Sequence, residues 1–365
     1  MRAVVLTSPQ GAMEVRDIER PRPGAGEVLM EVAACGVCHS DLHVIKGEVA
    51  FPTPCVLGHE VSGVVAELGA GVTGLSVGQP VASSFIIPCG TCRHCVRGLE
   101  DLCESFFNYN RLRGVLYDGK TRLYNRDGSP LWMYSMGGLS EFCVVPATDV
   151  FPLPSGVDLR EASVLGCSVF TSVGAVRNVA RVTPGESVAV VAVGGIGLNL
   201  IQVARAFGAR EVVAIDLADD KLDLARRLGA TVTINASSVD AVEAVREVTG
   251  GKGVDVAFEA LGSPATVETA IDVLDDGGRA VLVGIAPVGS RATFDITRVV
   301  RRKIRILGSY GARARTDMPL ALDLVARGLV QVGDLITDRF PLEETARAYE
   351  ALDNRRVVGR ALIEM

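Results

Sequence analysis

The sequence predicts a two-domain α/β protein, with an irregular, mostly β first domain and a doubly wound parallel sheet in the second. Three observations predict it. At 365 residues the chain is too long for one ordinary core and suits two domains. Up to about residue 150, short β-like runs alternate with Gly and Pro and show little helical period. From Pro184 onward, apolar strand-like runs alternate with helix-like stretches, the pattern of a parallel sheet covered by helices. The composition, 48% hydrophobic with 40 glycines and 5% aromatic residues, suits a Val/Ala-rich α/β protein with many tight turns. A net charge of −6 argues against a general nucleic-acid binder.

In chain order, residues 3–6, 28–32, 63–68 and 142–145 read as strands of the first domain. The apolar run 187–193 opens the second pattern, followed by a helix over 196–207 that ends at Gly208. A strand over 211–215 and a helix over 219–228, stopped by Gly229, repeat the unit. Strands over 231–234, 254–258 and 280–284 extend the series, with helices over 239–248 and 265–274 between them. After Ser309 the tail carries helical stretches over 319–326 and 343–352 and a final apolar strand over 361–363, expected to return to the first domain. The opening Met1-Arg2-Ala3-Val4-Val5-Leu6 run is too short for a signal peptide. The apolar stretch 188–204 is interrupted by Gly194, Gly195, Gly197, Asn199 and Gln202 and so is no membrane span. A cytoplasmic enzyme or binding protein is expected.

Cys89, Cys92, Cys95 and Cys103 place four thiols within fifteen residues. A tetrahedral Zn2+ takes four such ligands at about 2.3 Å, so a glycine-containing loop of this spacing can wrap one ion. The closed shell leaves no open position, which makes the site structural and sends any chemistry elsewhere. Two disulfides are the alternative, disfavoured in a chain without secretory features.

The run Val188–Val193 leads into Gly194-Gly195-Ile196-Gly197 and then a helix, the context of a dinucleotide fingerprint. Pyrophosphate would sit at the helix N-terminus, where free N–H groups favour an anion. Ala192 occupies the place of the first glycine, which weakens the motif taken alone. Asp216 closes the next strand, where a carboxylate accepts from both ribose hydroxyls and repels a 2′-phosphate, so NAD is favoured over NADP. A glycine turn serving only helix packing is the alternative.

All four histidines, His39, His43, His59 and His94, lie in the first 94 residues of the chain. Three fall in Cys35-Gly36-Val37-Cys38-His39-Ser40-Asp41-Leu42-His43 and Gly58-His59-Glu60, where thiol, imidazole and carboxylate mix. A catalytic zinc needs three protein ligands and an open position, and Cys plus His plus a distant Cys would supply them. His94, inside the cysteine loop, reads as a surface or capping residue.

Cys38-His39-Ser40-Asp41, Gly58-His59-Glu60, the Cys89/Cys92/Cys95/Cys103 loop, Gly166-Cys167 and the glycine turn follow the order and spacing of the zinc-dependent medium-chain alcohol dehydrogenases, which the whole chain resembles. The resemblance implies a GroES-like catalytic domain over 1–167, completed by 309–365, and a Rossmann NAD-binding domain over 168–308. It implies two Zn2+ per chain, the catalytic one held by Cys38, His59 and Cys167, a set that spacing alone could not nominate. Asp41 would orient His59, as a ligating imidazole needs its second N–H fixed. Glu60 would exchange with a ligand or tune the field. Ser40 would accept the substrate proton and His43 would stand at the far end of the relay. His39 and Arg360 would contact the cofactor pyrophosphate, with a surface charge as the other reading of Arg360, and Lys221 the adenosine ribose. Phe85 would be a wall of the substrate pocket, while Cys35, Cys55 and Cys143 match no ligand position and read as small buried apolar residues.

The expected function is reversible hydride transfer between an alcohol and NAD, the carbonyl product being an aldehyde or ketone. Residues 106–138 carry Arg111, Arg113, Lys120, Arg122 and Arg126, which could receive an acidic conjugate, so a glutathione-dependent formaldehyde dehydrogenase is the enzymatic alternative. A solvated basic loop is the plainer reading of that segment. A zinc- and NAD-binding protein without turnover is a third reading, opposed by the intact Ser40 and His43. A homodimer or homotetramer is expected through an edge of the coenzyme sheet, with residues 281–285 and 304–307 as candidate edges.

Overall fold

A computed structural model describes residues 1–365, which divide into two compact units. The first comprises Met1–Phe170, Arg313–Ala326 and Ile336–Met365; the second comprises Thr171–Ala312 and Arg327–Leu335. The tail is therefore split: residues 327–335 belong to the second unit rather than to the first.

The first unit is built on two sheets. The larger is organised by Glu27–Gly36, which pairs antiparallel with Val61–Leu68, with Phe142–Pro146 and with the C-terminal strand Arg360–Glu364. Nearly every residue of that central strand is buried, as befits a strand covered on both faces. In the smaller sheet Arg2–Leu6 pairs with Met13–Asp17 and Cys55–Val56. One core cluster joins these elements, from Val4 and Leu6 through Val28, Met30 and Val61 to Leu131, Met133 and Ile363. The helix expected over 319–326 begins earlier and runs Ala314–Ala326, with Pro319 inside it.

The segment 106–138 is not a solvated loop. It opens on a helical turn, Phe106–Arg111, and then supplies the strands Leu123–Tyr124 and Pro130–Met133, the latter pairing with Cys55–Val56. Arg122 is drawn inward between Glu27 and Asp118, and Arg126 bonds Asp17 at 2.7 Å. Two of its five basic residues are thus spent on the protein's own carboxylates.

The second unit is a six-stranded parallel sheet. Its order is Val232–Asn235, Glu211–Asp216, Ser187–Val191, Val254–Glu259, Leu274–Leu282 and Arg305–Gly308. Helices Gly195–Ala206, Asp219–Arg227, Ala241–Val248 and Pro264–Asp272 connect the strands, and the order reverses beside Ser187–Val191. That reversal leaves a crevice at the carboxyl ends of the strands, where doubly wound sheets bind ligands. Helix starts follow local chemistry: Asp240 accepts from Glu243 N, and Ser263 and Thr266 form a reciprocal cap with Pro264 in the first turn. The strand expected over 187–193 stops at Val191, because Ala192 turns to a φ of 72°. Residues 281–285 are not an edge. Leu274–Leu282 lies between two neighbours, and Arg305–Gly308 is the edge on that side.

Candidate active site

Cys38 is the N-terminal residue preceding helix His39–Ile45, and its carbonyl accepts from Asp41 N and Leu42 N, so its side chain is left free to face inward. His59 and Glu60 follow Gly58, whose φ of 96° and crowded Cβ position, 2.6 Å from Leu139 N, require glycine. Cys167 ends the turn Glu161–Gly166. Gly166 carries it close to strand Pro80–Ser83, since a Cβ there would lie 2.0 Å from the Ser83 carbonyl. These three segments bring Cys38, His59, Glu60 and Cys167 together, with one ligand atom from each within 4.8 Å of the others and all four buried.

Asp41, fully buried, holds the cluster from behind. Its carboxylate lies 3.1 Å from His59 Nδ1 and accepts from Gly58 N at 3.1 Å. With Nδ1 fixed, Nε2 remains on the cluster side, 3.9 Å from Glu60. Burial disfavours an imidazolium at His59, but the Asp41 and Cys38 charges outweigh it and hold the ring well above its ordinary pKa. The Cys38 thiol is held well down by its hydrogen bond with Cys167, against burial and with help from His59. Cys167 is raised in turn, first by that same bond and then by burial. Two thiols sharing one proton beside a fixed imidazole fit a Zn2+ ion, which would take up both sulfurs as thiolates.

Glu60 is also buried and pairs with Arg360, itself only 5% exposed. Arg360 is therefore not a surface charge. Burial pushes the Glu60 carboxyl up to about 7 despite the guanidinium beside it. Gly36 makes room for it, because a Cβ there would lie 2.2 Å from Glu60 Oε2.

Aromatic rings surround His59. Phe85 and Tyr134 stand edge-on to it, with centroids 5.9 and 5.7 Å away, and Phe106 and Phe170 lie beyond Phe85. Tyr134 Oη donates to the Ser40 carbonyl at 3.4 Å. Behind Phe85 a buried carboxylate, Asp149, accepts from Ser83 at 2.9 Å and Ser84 at 2.6 Å and so fixes the strand end that leads to Phe85. Sequence reasoning missed Tyr134 and Asp149. Both act across long sequence separations, and neither belongs to a local pattern.

The four-cysteine loop closes on itself. Its four sulfurs lie within 4.8 Å of one another. Backbone N–H groups of Cys89, Cys92, Cys95 and Phe106 point at sulfur at 3.3 to 3.5 Å. Such donors stabilise thiolate, and the set fits one tetrahedral Zn2+ without an open position. His94 heads the turn Cys95–Arg97 and lies 3.8 Å from Glu104. Cys35, Cys55 and Cys143 are fully buried, and burial pushes the last two thiols up to about 12.

In the second unit Gly194 precedes helix Gly195–Ala206, and a Cβ on Gly194 would meet nothing within 4 Å. Gly197 is the close-packing position, with its would-be Cβ 2.2 Å from the Ala192 carbonyl. Asp216 ends its strand with Oδ2 on Val193 N at 2.8 Å and Oδ1 on Leu217 N at 2.8 Å, which orients the carboxylate at the carboxyl end of the sheet. Lys221 lies in the first turn of the next helix, Asp219–Arg227. An open glycine turn at a helix N-terminus, followed by an oriented carboxylate, fits a dinucleotide.

Residues 24–155 match the family described as alcohol dehydrogenase GroES-like domain, and residues 195–327 match that described as zinc-binding dehydrogenase. The chain is 32% identical to S-(hydroxymethyl)glutathione dehydrogenase of Synechocystis sp. over 98% of both chains. Among solved structures it is similar to an alcohol dehydrogenase zinc-binding domain protein from Burkholderia ambifaria (TM-score 0.93, 32% identity, 100% of this chain and 98% of that one). It is also similar to benzyl alcohol dehydrogenase from Acinetobacter calcoaceticus (TM-score 0.92, 29% identity, 100% and 99%). With a GroES-like unit, a Rossmann unit and two cysteine-bearing clusters able to hold a metal ion, the protein is a zinc-dependent nicotinamide oxidoreductase. The chain belongs to the zinc-dependent medium-chain alcohol dehydrogenase family.

Proposed function

We propose that the chain oxidises a small alcohol to its aldehyde or ketone, reversibly and with NAD, at the cluster of Cys38, His59 and Cys167. The convergence of those three buried side chains in front of Asp41 carries the reading. Zinc bound there supplies Lewis-acid polarisation of the alcohol oxygen, and NAD supplies the hydride acceptor. Cys38, His59 and Cys167 hold the metal, and Asp41 keeps His59 in the tautomer that leaves Nε2 free. Glu60 tunes the field at the cluster, with Arg360 limiting its negative charge. Ser40 Oγ accepts the substrate proton as it gives up its own hydroxyl proton towards His43, which stands one helical turn on, partly exposed, at the solvent end. Phe85 walls the substrate side. Cys89, Cys92, Cys95 and Cys103 hold a second, structural zinc.

Gly194, Gly195, Ile196 and Gly197 receive the pyrophosphate, with Asp216 and Lys221 on the adenosine ribose. The Asp216 carboxylate supports NAD over NADP by repelling a 2′-phosphate. His39 and Arg360 join the pyrophosphate site by family likeness. The domain assignment follows the same likeness: 1–167 with 309–365 for catalysis and both zincs, 168–308 for NAD. A cytoplasmic homo-oligomer, dimer or tetramer, is the accompanying reading, supported by the open edge strand Arg305–Gly308.

Ser40→Ala tests the proton step. Turnover of a simple alcohol is expected to fall by about 100-fold with zinc content unchanged; turnover near that of the parent contradicts the reading. One observation favours oxidation of S-(hydroxymethyl)glutathione instead: Arg111 stacks over Tyr134 at 4.3 Å, and Tyr134 packs on His59, so a cation stands near the cluster. Comparing kcat/KM for hydroxymethylglutathione and for simple alcohols separates the two substrates.

A further inference from the structure

His43 lies in the last turn of helix His39–Ile45, and the chain folds straight back onto it. After Gly47, at a φ of 73°, the backbone N–H groups of Glu48 and Val49 both donate to the His43 carbonyl, at 2.9 and 3.1 Å. This return sets the Glu48 carboxylate beside the imidazole, with Oε2 2.5 Å from Nδ1. The neighbouring cation, Lys46, pairs instead with Asp353.

We propose that Glu48 is a positioning residue for the proton relay: by accepting from Nδ1 it fixes His43 in the tautomer whose Nε2 carries a lone pair. The inference rests on the reading of His43 as the solvent-side proton acceptor. An ionised carboxylate has no proton to donate, so a hydrogen bond to Nδ1 requires the proton to be on Nδ1. Nε2 is then the basic nitrogen. A proton arriving from the Ser40 side is taken at Nε2 and leaves from Nε2 to water, while Nδ1 keeps its own throughout. The carboxylate also offsets the positive charge the ring carries in between, the same service a buried Asp gives the histidine of a hydrolase triad. Stability is a poor explanation of the pair. The Glu48 side chain is 42% exposed, and an ion pair so open to water contributes little to folding.

Two measurements test it. The chain has only four histidines, so 15N-histidine labelling gives a spectrum simple enough to assign His43 from its loss in H43Q. The account predicts a single Nδ1–H tautomer for His43 in the parent and a mixture in E48A; a mixture already present in the parent overturns it. The second is a double-mutant cycle on alcohol oxidation. H43Q is expected to slow kcat by about 10-fold or more, E48A by a few-fold to about 10-fold with KM little changed, and E48A to add nothing in the H43Q background. Normal kcat in E48A while H43Q is slow overturns the role of Glu48 and leaves the relay standing. Independent, multiplying effects also overturn it. Normal kcat in H43Q overturns the relay reading itself.

Discussion

Replacing Ala192 by glycine should stabilise the coenzyme unit. Ala192 stands at a φ of 72°, where its methyl crowds the backbone, and its N–H is fixed on the Ile215 carbonyl at 2.8 Å, so the turn cannot relax. An L-residue in this left-handed region costs roughly 1–2 kcal/mol. Glycine removes that strain but surrenders roughly 0.4–1 kcal/mol through a freer unfolded chain. The net gain is about 0.8 kcal/mol. In a unit of about 150 residues this raises the unfolding midpoint by about 2–3 °C. The opposite change three residues into the helix supplies the control. Gly197→Ala would place a Cβ 2.2 Å from the Ala192 carbonyl, a backbone atom held by the same turn, and should lower the midpoint by several degrees and weaken NAD binding. Calorimetric scans with and without NAD read both effects. A midpoint for Ala192→Gly equal to or below that of the parent would show that the methyl is packed to advantage and refute the strain argument.

Other outcomes follow from the catalytic unit. Asp41→Ala leaves the Gly58 N–H and the His59 Nδ1–H without their acceptor, so zinc at the Cys38 centre should weaken by about 10- to 100-fold while the cysteine loop keeps its ion; equal chelator resistance of both zincs in this variant contradicts the role. Burial pushes the Asp149 carboxyl well above its usual range, beyond what its serine donors offset. Its folded-state value is raised, so its contribution to stability is full below about pH 4 and is lost as pH rises towards that value, by up to about 1.4 kcal/mol per unit. Asp149→Asn removes this dependence, and its midpoint should gain on the parent's as pH rises above about 4. A difference that stays constant from below about pH 4 upward would mean that the carboxyl is ionised at no cost.

The parallel sheet was legible because each strand and helix announces itself locally. Gly208 and Gly229 stop helices, and apolar runs of strand length alternate with a helical period. The cysteine loop was legible for a similar reason, its four thiols being neighbours in sequence. Cys167 was not, since more than a hundred residues separate it from His59 and only family likeness nominated it. Ala192 misled the strand boundary because alanine gives no sign of a positive φ. The basic segment 106–138 misled in another way: charge composition suggested solvent, whereas Arg122 finds Glu27 ninety-five residues away. The Glu60–Arg360 pair, 300 residues apart, lies beyond any local rule, and it removes the surface-charge reading of an arginine expected at the cofactor pyrophosphate, placing it in the site's charge balance.

Zinc stoichiometry combined with turnover tests the two-centre account most directly. The parent chain should carry two zincs and form NADH from an alcohol. Cys167→Ser should carry one zinc per chain, still bind NAD, and form no NADH. Two zincs retained in Cys167→Ser with undiminished alcohol-dependent NADH formation would contradict the assignment of the open centre to Cys38, His59 and Cys167.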